Sequence, residues 1–227
     1  MKKRAILLLF IILIISMGFG LIHAKGRKNI SKEDLRLKGK TIVIDPGHGG
    51  GDRGAQGKNY GTIEKDLNLK VAQNIKKELE ERTDAQVILT RETDTSLLPE
   101  TNQKEELQAR VKVAKDNAAD LYISIHHDTF GDTKVKGITT HYGANKRQDK
   151  KLAEIVQEAI FNQNIDTRDR GIQASDFLVL RENSSPAILI ELGFMSNKSD
   201  EKRMNSEYFQ IKSQKGIVDG IITYFTT

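Results

Sequence analysis

A chain of 227 residues, 37% hydrophobic and 30% charged, has room for one domain with a sizeable core and not for two large ones. Its net charge is +5; Lys2, Lys3 and Arg4 supply three of those charges, so the body is nearly balanced, and neither a basic stripe nor an aromatic run is present to hold nucleic acid. The absence of cysteine excludes a disulfide framework, thiol chemistry and thiolate metal sites, so any metal must be held by His and carboxylate.

The three basic residues precede an 18-residue apolar stretch over 5–22, the pattern of a signal peptide or an N-terminal membrane anchor. Ile22-His23-Ala24 is a poor small-x-small cleavage site, which favours an uncleaved anchor with the body outside the cytoplasm. Residues 1–24 are therefore read as signal or anchor, 25–39 as a charged tether and 40–227 as one domain. No internal repeat and no second module is visible in the sequence.

Within the domain, 41–45 (Thr-Ile-Val-Ile-Asp) reads as a buried strand ended by Pro46-Gly47. Leu67, Val71, Ile75 and Leu79 mark one face of a helix over 64–82. A strand follows at 86–90, then a polar loop over 92–103 containing Pro99. A helix is expected over 103–117, with Leu107, Val111 and Ala114 on one side. Further strands are expected at 121–125, 137–142, 177–180 and 187–191. Helices are expected at 150–162 and at 208–224, the latter packed through Ile211, Ile217, Val218 and Ile221. Strands interleaved with helices predict an α/β domain, a mainly parallel sheet with helices on both faces.

Sites in such sheets form outside the carboxyl ends of the strands. The polar residues there are Asp45, His48 and Asp52 around a glycine cluster, His126-His127-Asp128 after the third strand, and Glu191 after Ile188-Leu189-Ile190. Glu64 opens the first helix, just beyond the glycine-rich loop. Each has an ordinary structural reading: a turn histidine, a strand-end histidine pair, a helix N-terminal acid. Glu191 is the least ordinary, because a carboxylate in a buried strand is costly unless paired or bound to metal. Together they fit two histidines and one carboxylate around a catalytic zinc, although the long spacing gives no local signature and leaves the structural readings open.

Six pieces, in order, resemble the zinc-dependent N-acetylmuramoyl-L-alanine amidase family. They are Ile44-Asp-Pro-Gly-His-Gly-Gly50, Glu64-Lys-Asp-Leu-Asn-Leu69, Leu89-Thr-Arg91 with Asp94, Ser124-Ile-His126, Phe177-Leu-Val-Leu-Arg181 and the run from Pro186 to Asn197. The resemblance spans roughly residues 41–225. It implies a six-stranded sheet, one Zn2+ held by His48, Glu64 and His126, and Glu191 as catalytic acid/base, with no other cofactor. It implies peptidoglycan as substrate, cut at the amide between muramic acid and L-alanine in the cell wall. The same constellation would serve a zinc peptidase or deacetylase on another wall amide, or a catalytically silent wall-binding or activator protein. A protein activator is also compatible with it, as is membrane contact through the N-terminal segment. The chain departs from the family's pattern at His127 and Asp128, where a small residue and then Asn are usual, and at Gln173, where many relatives are basic. Only ten residues separate His126 from Gly137, so no built-in blocking helix is expected.

Overall fold

The computed structural model describes residues 37–98 and 102–227; the expected signal or anchor and most of the tether lie outside them. Among the described residues no helix is long and apolar enough to cross a membrane. Six strands form one sheet: β1 (Thr41–Pro46), β2 (Gln86–Leu89), β3 (Leu121–Asp128), β4 (Ile138–Gly143), β5 (Asp169–Ser175) and β6 (Ala187–Phe194). Their order is β2-β1-β3-β6-β4-β5, and every neighbouring pair is parallel except β4 with β6. The described helices are α1 (Glu64–Arg82), α2 (Gln103–Asp116), α3 (Arg147–Phe161), α4 (Leu178–Arg181), α5 (Lys198–Met204) and α6 (Glu207–Thr226).

The central strands are apolar on both faces because both are covered. Side chains alternate across a strand. Ile42, Ile44, Ile123, Ile125, Ile188 and Ile190 therefore enter a large core beneath α1, α3 and α6, while Val43, Tyr122, Ala187 and Leu189 enter a smaller one beneath α2 and α4. Leu37, just before β1, packs into the large core. Close packing of α6 on α3 requires glycine: a Cβ at Gly216 would lie 2.5 Å from the Ile160 backbone.

The structure corrects the expected strand at 177–180. That segment is the helical turn α4, and the sixth strand is instead β5. Val179 and Leu180 are adjacent and both enter the smaller core, which one helical turn beneath the sheet permits and a strand, with successive side chains on opposite faces, does not. β5 lacked a signal because it is an edge strand with little apolar content, interrupted at Gly171. Ile211, expected on the inner face of the last helix, is exposed, whereas Ile217, Val218 and Ile221 are buried. No helix lies between β3 and β4.

Candidate active site

β1, β3 and β6 end side by side, and the polar residues gather just beyond them. The chain leaves β1 through Gly47, whose N–H donates to the Ile125 carbonyl at 3.1 Å. A Cβ there would sit 2.2 Å from the His126 ring, so only glycine lets this loop pass. The next residue, His48, holds a left-handed backbone at φ 62°, a conformation that is strained for residues with a Cβ. Two buried guanidinium groups fix it. Arg91 donates from Nε to the Pro46 carbonyl and from Nη2 to the Gly47 carbonyl, at 3.0 and 2.9 Å. Arg110 donates to the Pro46 carbonyl at 2.9 Å and to the His48 carbonyl at 2.8 Å. Arg110 also pairs with buried Asp45 at 2.8 Å. Burial works against an ionised Asp45, but Arg110 and the hydroxyl donors Thr90 and Ser124 outweigh it and hold the carboxyl well below the usual range.

His48, Glu64 and His126 meet at this point. His48 Nε2 lies 3.1 Å and His126 Nδ1 3.0 Å from Glu64 Oε1, and each residue offers a ligand atom within 4.8 Å of the others'. His48 Nδ1 faces Asp52 Oδ2 at 2.8 Å; a proton there leaves the Nε2 lone pair free, the orientation that carboxylates impose on metal-binding histidines. Glu64 accepts from the Ala55 N–H at 2.7 Å, and from the Asn68 amide and the His127 N–H, both at 3.2 Å. Burial opposes its charge, yet hydrogen bonds from His126 and His48 keep its pKa below the ordinary value. His48 is pushed down by burial and raised further by Glu64 and Asp52, a net rise. Two imidazoles and a carboxylate, with a carboxylate behind one imidazole and no thiolate, make a donor set that fits catalytic zinc.

Glu191 lies directly across from His126 in the β3–β6 register. It is buried, and its Oε2 has no hydrogen-bond partner. Burial, then the Asp128 and Glu64 carboxylates, push its pKa well above the ordinary value. With His48 and His126 it lines a cavity of about 250 Å3 whose far wall is Arg110, Phe177 and Val179. His127 belongs elsewhere. It points to the α1 side of the sheet, 1% exposed, with Nδ1 2.7 Å from the Asn68 oxygen. Because the Asn68 amide nitrogen already donates to Gly47 and Glu64, its oxygen accepts from His127. Gln173 is exposed on β5, opposite His141.

Sequence reasoning passed over Arg110 and Asn68. Arg110 had a signal, since it stands among Leu107, Val111 and Ala114 on the inner face of α2, where an unpaired arginine would not be tolerated. Asn68 had only its place in the Glu64–Leu69 piece, because two of its three partners come from residues 21 and 59 positions away.

A family profile for N-acetylmuramoyl-L-alanine amidase matches residues 42–223. The germination-specific N-acetylmuramoyl-L-alanine amidase of Bacillus subtilis (strain 168) is 35% identical over 233 aligned positions, covering 100% of this chain and 95% of that one. The crystal structure of an N-acetylmuramoyl-L-alanine amidase from Clostridium difficile 630 superposes with a TM-score of 0.76 at 37% identity, covering 82% of this chain and 96% of that one. The CwlD amidase of Clostridioides difficile, solved in complex with the GerS lipoprotein, gives a TM-score of 0.76 at 34% identity over 82% and 98% of the two chains. This chain belongs to the N-acetylmuramoyl-L-alanine amidase family, the hydrolases that cut peptidoglycan at the amide between N-acetylmuramoyl residues and L-alanine.

Proposed function

We propose that the amidase is zinc-dependent, with His48, Glu64 and His126 holding one zinc ion and Glu191 moving the proton. The observation that carries this is the meeting of three ligand atoms within 4.8 Å, beside a buried carboxyl whose free oxygen has no protein partner. Zinc bound there supplies a water acidified to a pKa of about 7 and polarises the scissile carbonyl. Glu191 takes the water's proton and delivers it to the departing L-alanine nitrogen, the task of a general acid/base, and burial raises its pKa above the ordinary carboxylate value. Asp52 keeps the His48 ring turned with Nε2 inward, and the Ala55 N–H holds the second Glu64 oxygen.

Purified peptidoglycan digested by the zinc-loaded protein and analysed by mass spectrometry tests the reading. Free stem peptides beginning with L-alanine are expected, lost to chelators and restored by zinc. Peptides cut at another wall amide, or an active preparation without zinc, would refute it.

The enzyme is further proposed to act outside the cytoplasm, tethered by residues 1–24. Full-length protein should then remain with membranes through high-salt washing, which strips electrostatic attachments; a mature chain beginning at Lys25 would refute the tether. The lipoprotein bound to the Clostridioides difficile relative supports a protein partner here as well.

A further inference from the structure

Glu191, Thr139 and Arg170 form a row across three strands. Thr139 is paired directly with Glu191, and directly opposed residues share a face. β5 departs from regular register opposite Thr139: Ile138 pairs with Asp169, and Thr140 pairs with Ile172. The extra residue falls at Arg170-Gly171, and Gly171 takes φ 72°. Bulges of this kind re-aim side chains at the rims of sheets. Here the bulge turns Arg170 inward, and its Nε donates to Thr139 Oγ1 at 3.1 Å. The guanidinium lies 5.1 Å from the centre of the Phe194 ring, so its plane is held on two sides. Arg170 is exposed and makes no salt bridge with any described residue. Its outer edge, the pair of N–H groups that matches a carboxylate, has no ion-pair partner among the described residues, although Asp128 lies near enough to feel its charge. The neighbouring cavity is lined by the acidic Asp52 and Glu106, which disfavour an anionic part of a substrate there and leave Arg170, outside that lining, as the cation to receive it.

We propose that Arg170 is a specificity-determining residue that holds the free α-carboxylate of the second stem residue, a glutamate linked through its side-chain carboxyl. This rests on the amidase reading of the site. The second residue's Cα lies one Cα step of about 3.8 Å beyond the L-alanine Cα, and its carboxylate a bond further. Glu191 stands on β6, two strand spacings or roughly 9.5 Å from β5, and the Arg170 side chain reaches back across part of that width to Thr139.

The test uses two muropeptides that differ only at that group, one with D-isoglutamate and one with D-isoglutamine as second residue. Full-length, zinc-loaded wild type should cleave the carboxylate form with a kcat/KM roughly tenfold or more above the carboxamide form, the scale of a charge-assisted hydrogen bond. Arg170→Gln should bring the ratio close to one while leaving the carboxamide rate within about threefold of wild type, and Arg170→Lys should restore part of the preference. A purely structural role over Phe194 would lower both rates together. Arg170→Met keeps an apolar cover on that ring and should behave like Arg170→Gln. Equal cleavage of the two substrates by wild type, or a preference that survives in Arg170→Gln, overturns the proposal and leaves the amidase reading intact. Cleavage of neither at the muramoyl–L-alanine bond overturns both.

Discussion

Replacing Arg110 by methionine tests how the loop carrying His48 is held. The variant keeps an unbranched apolar stem and loses four hydrogen bonds, to Asp45, Glu106 and the carbonyls of Pro46 and His48. Pro46 keeps a donor in Arg91; the strained His48 loses the one described for its carbonyl. The larger consequence is Asp45, 1% exposed, left with the Thr90 and Ser124 hydroxyls and no ion-pair partner, only the more remote charge of Arg91. Breaking a buried pair in this way costs about 3–5 kcal/mol. The sign of the pH dependence follows. In wild type the Asp45 pKa is depressed, so its contribution is present above the unfolded value of about 4 and constant between pH 5 and 7. In the variant, burial outweighs the remaining Thr90 and Ser124 hydroxyl donors and raises it. The folded state then holds a proton that the unfolded chain has released, and the deficit shrinks as pH falls through that raised value. Urea unfolding of metal-free protein should give a loss of about 3–5 kcal/mol at pH 7 and a smaller one at pH 5, with an unchanged m-value. Zinc competition should show affinity reduced roughly 10–100-fold, as for other groups that orient metal ligands. A loss under about 1 kcal/mol, or the same loss at both pH values, would refute the reasoning.

Glu191→Gln should keep zinc and lower turnover by roughly 10²-fold or more. Because the folded Glu191 carboxyl is raised, stability falls as pH rises from the ordinary Glu value through the raised one; the metal-free Gln variant should thus melt no lower than wild type at pH 7, and a low-melting or near-normally active variant would count against this role. His126→Ala should come out of purification without zinc, whereas His127→Ala should retain it; a metal-free His127→Ala would reverse the assignment. Burial holds His127 down to about 4, so it contributes stability above the unfolded value near 6.5 that is lost as pH falls towards 4, about 2 kcal/mol by pH 5. His127→Ala should lack that part of the acid slope in metal-free urea titrations. Gly47→Ala should displace the His126 ring and abolish tight zinc binding, and normal zinc content would show that the loop yields more readily than the 2.2 Å approach implies.

How far the sequence disclosed this arrangement varied with the kind of signal each element carries. β1, β3 and β6 were legible because strands buried on both faces read as unbroken apolar runs, and α1 because four apolar residues in four-residue steps define one face. The strand ends were legible as a place where polar residues collect. β5 was not, since an edge strand interrupted at Gly171 buries too little to leave a period. The 177–180 run was misread because four apolar residues suit a strand or one helical turn equally well, and only α2 above it decides. α5 was missed because its sequence is almost wholly polar. It is nucleated by Asn197, whose side chain accepts from the Ser199 and Asp200 N–H groups, and Glu201 within it is fully buried. The reason for that burial is distant in sequence. Glu201 accepts from the N–H groups of Asn59 and Tyr60 at 2.9 and 2.8 Å, contacts that span more than 140 positions.

That distant carboxylate bears on the candidate metal centre. The segment from Gly47 to Glu64 contributes two of the three candidate ligands and has little regular structure of its own. It is fixed at its start by Arg91 and Arg110, at its middle by Asp52, and at its end by Glu201, against which Gly57 packs so closely that a Cβ would lie 2.0 Å away. Local preference is violated where the chemistry is proposed: His48 sits at φ 62° and Glu191 has an unpartnered oxygen. Such violations persist only where the surroundings over-determine the geometry. The constraints here come from α2, β2 and its following loop, and α5, on both flanks of the sheet. A site assembled in this way holds the spacing of its candidate ligands only when the whole sheet is folded, so loss of a remote support such as Glu201 would act on metal binding through the loop that carries Ala55 and Glu64 rather than through any contact with the ligands themselves.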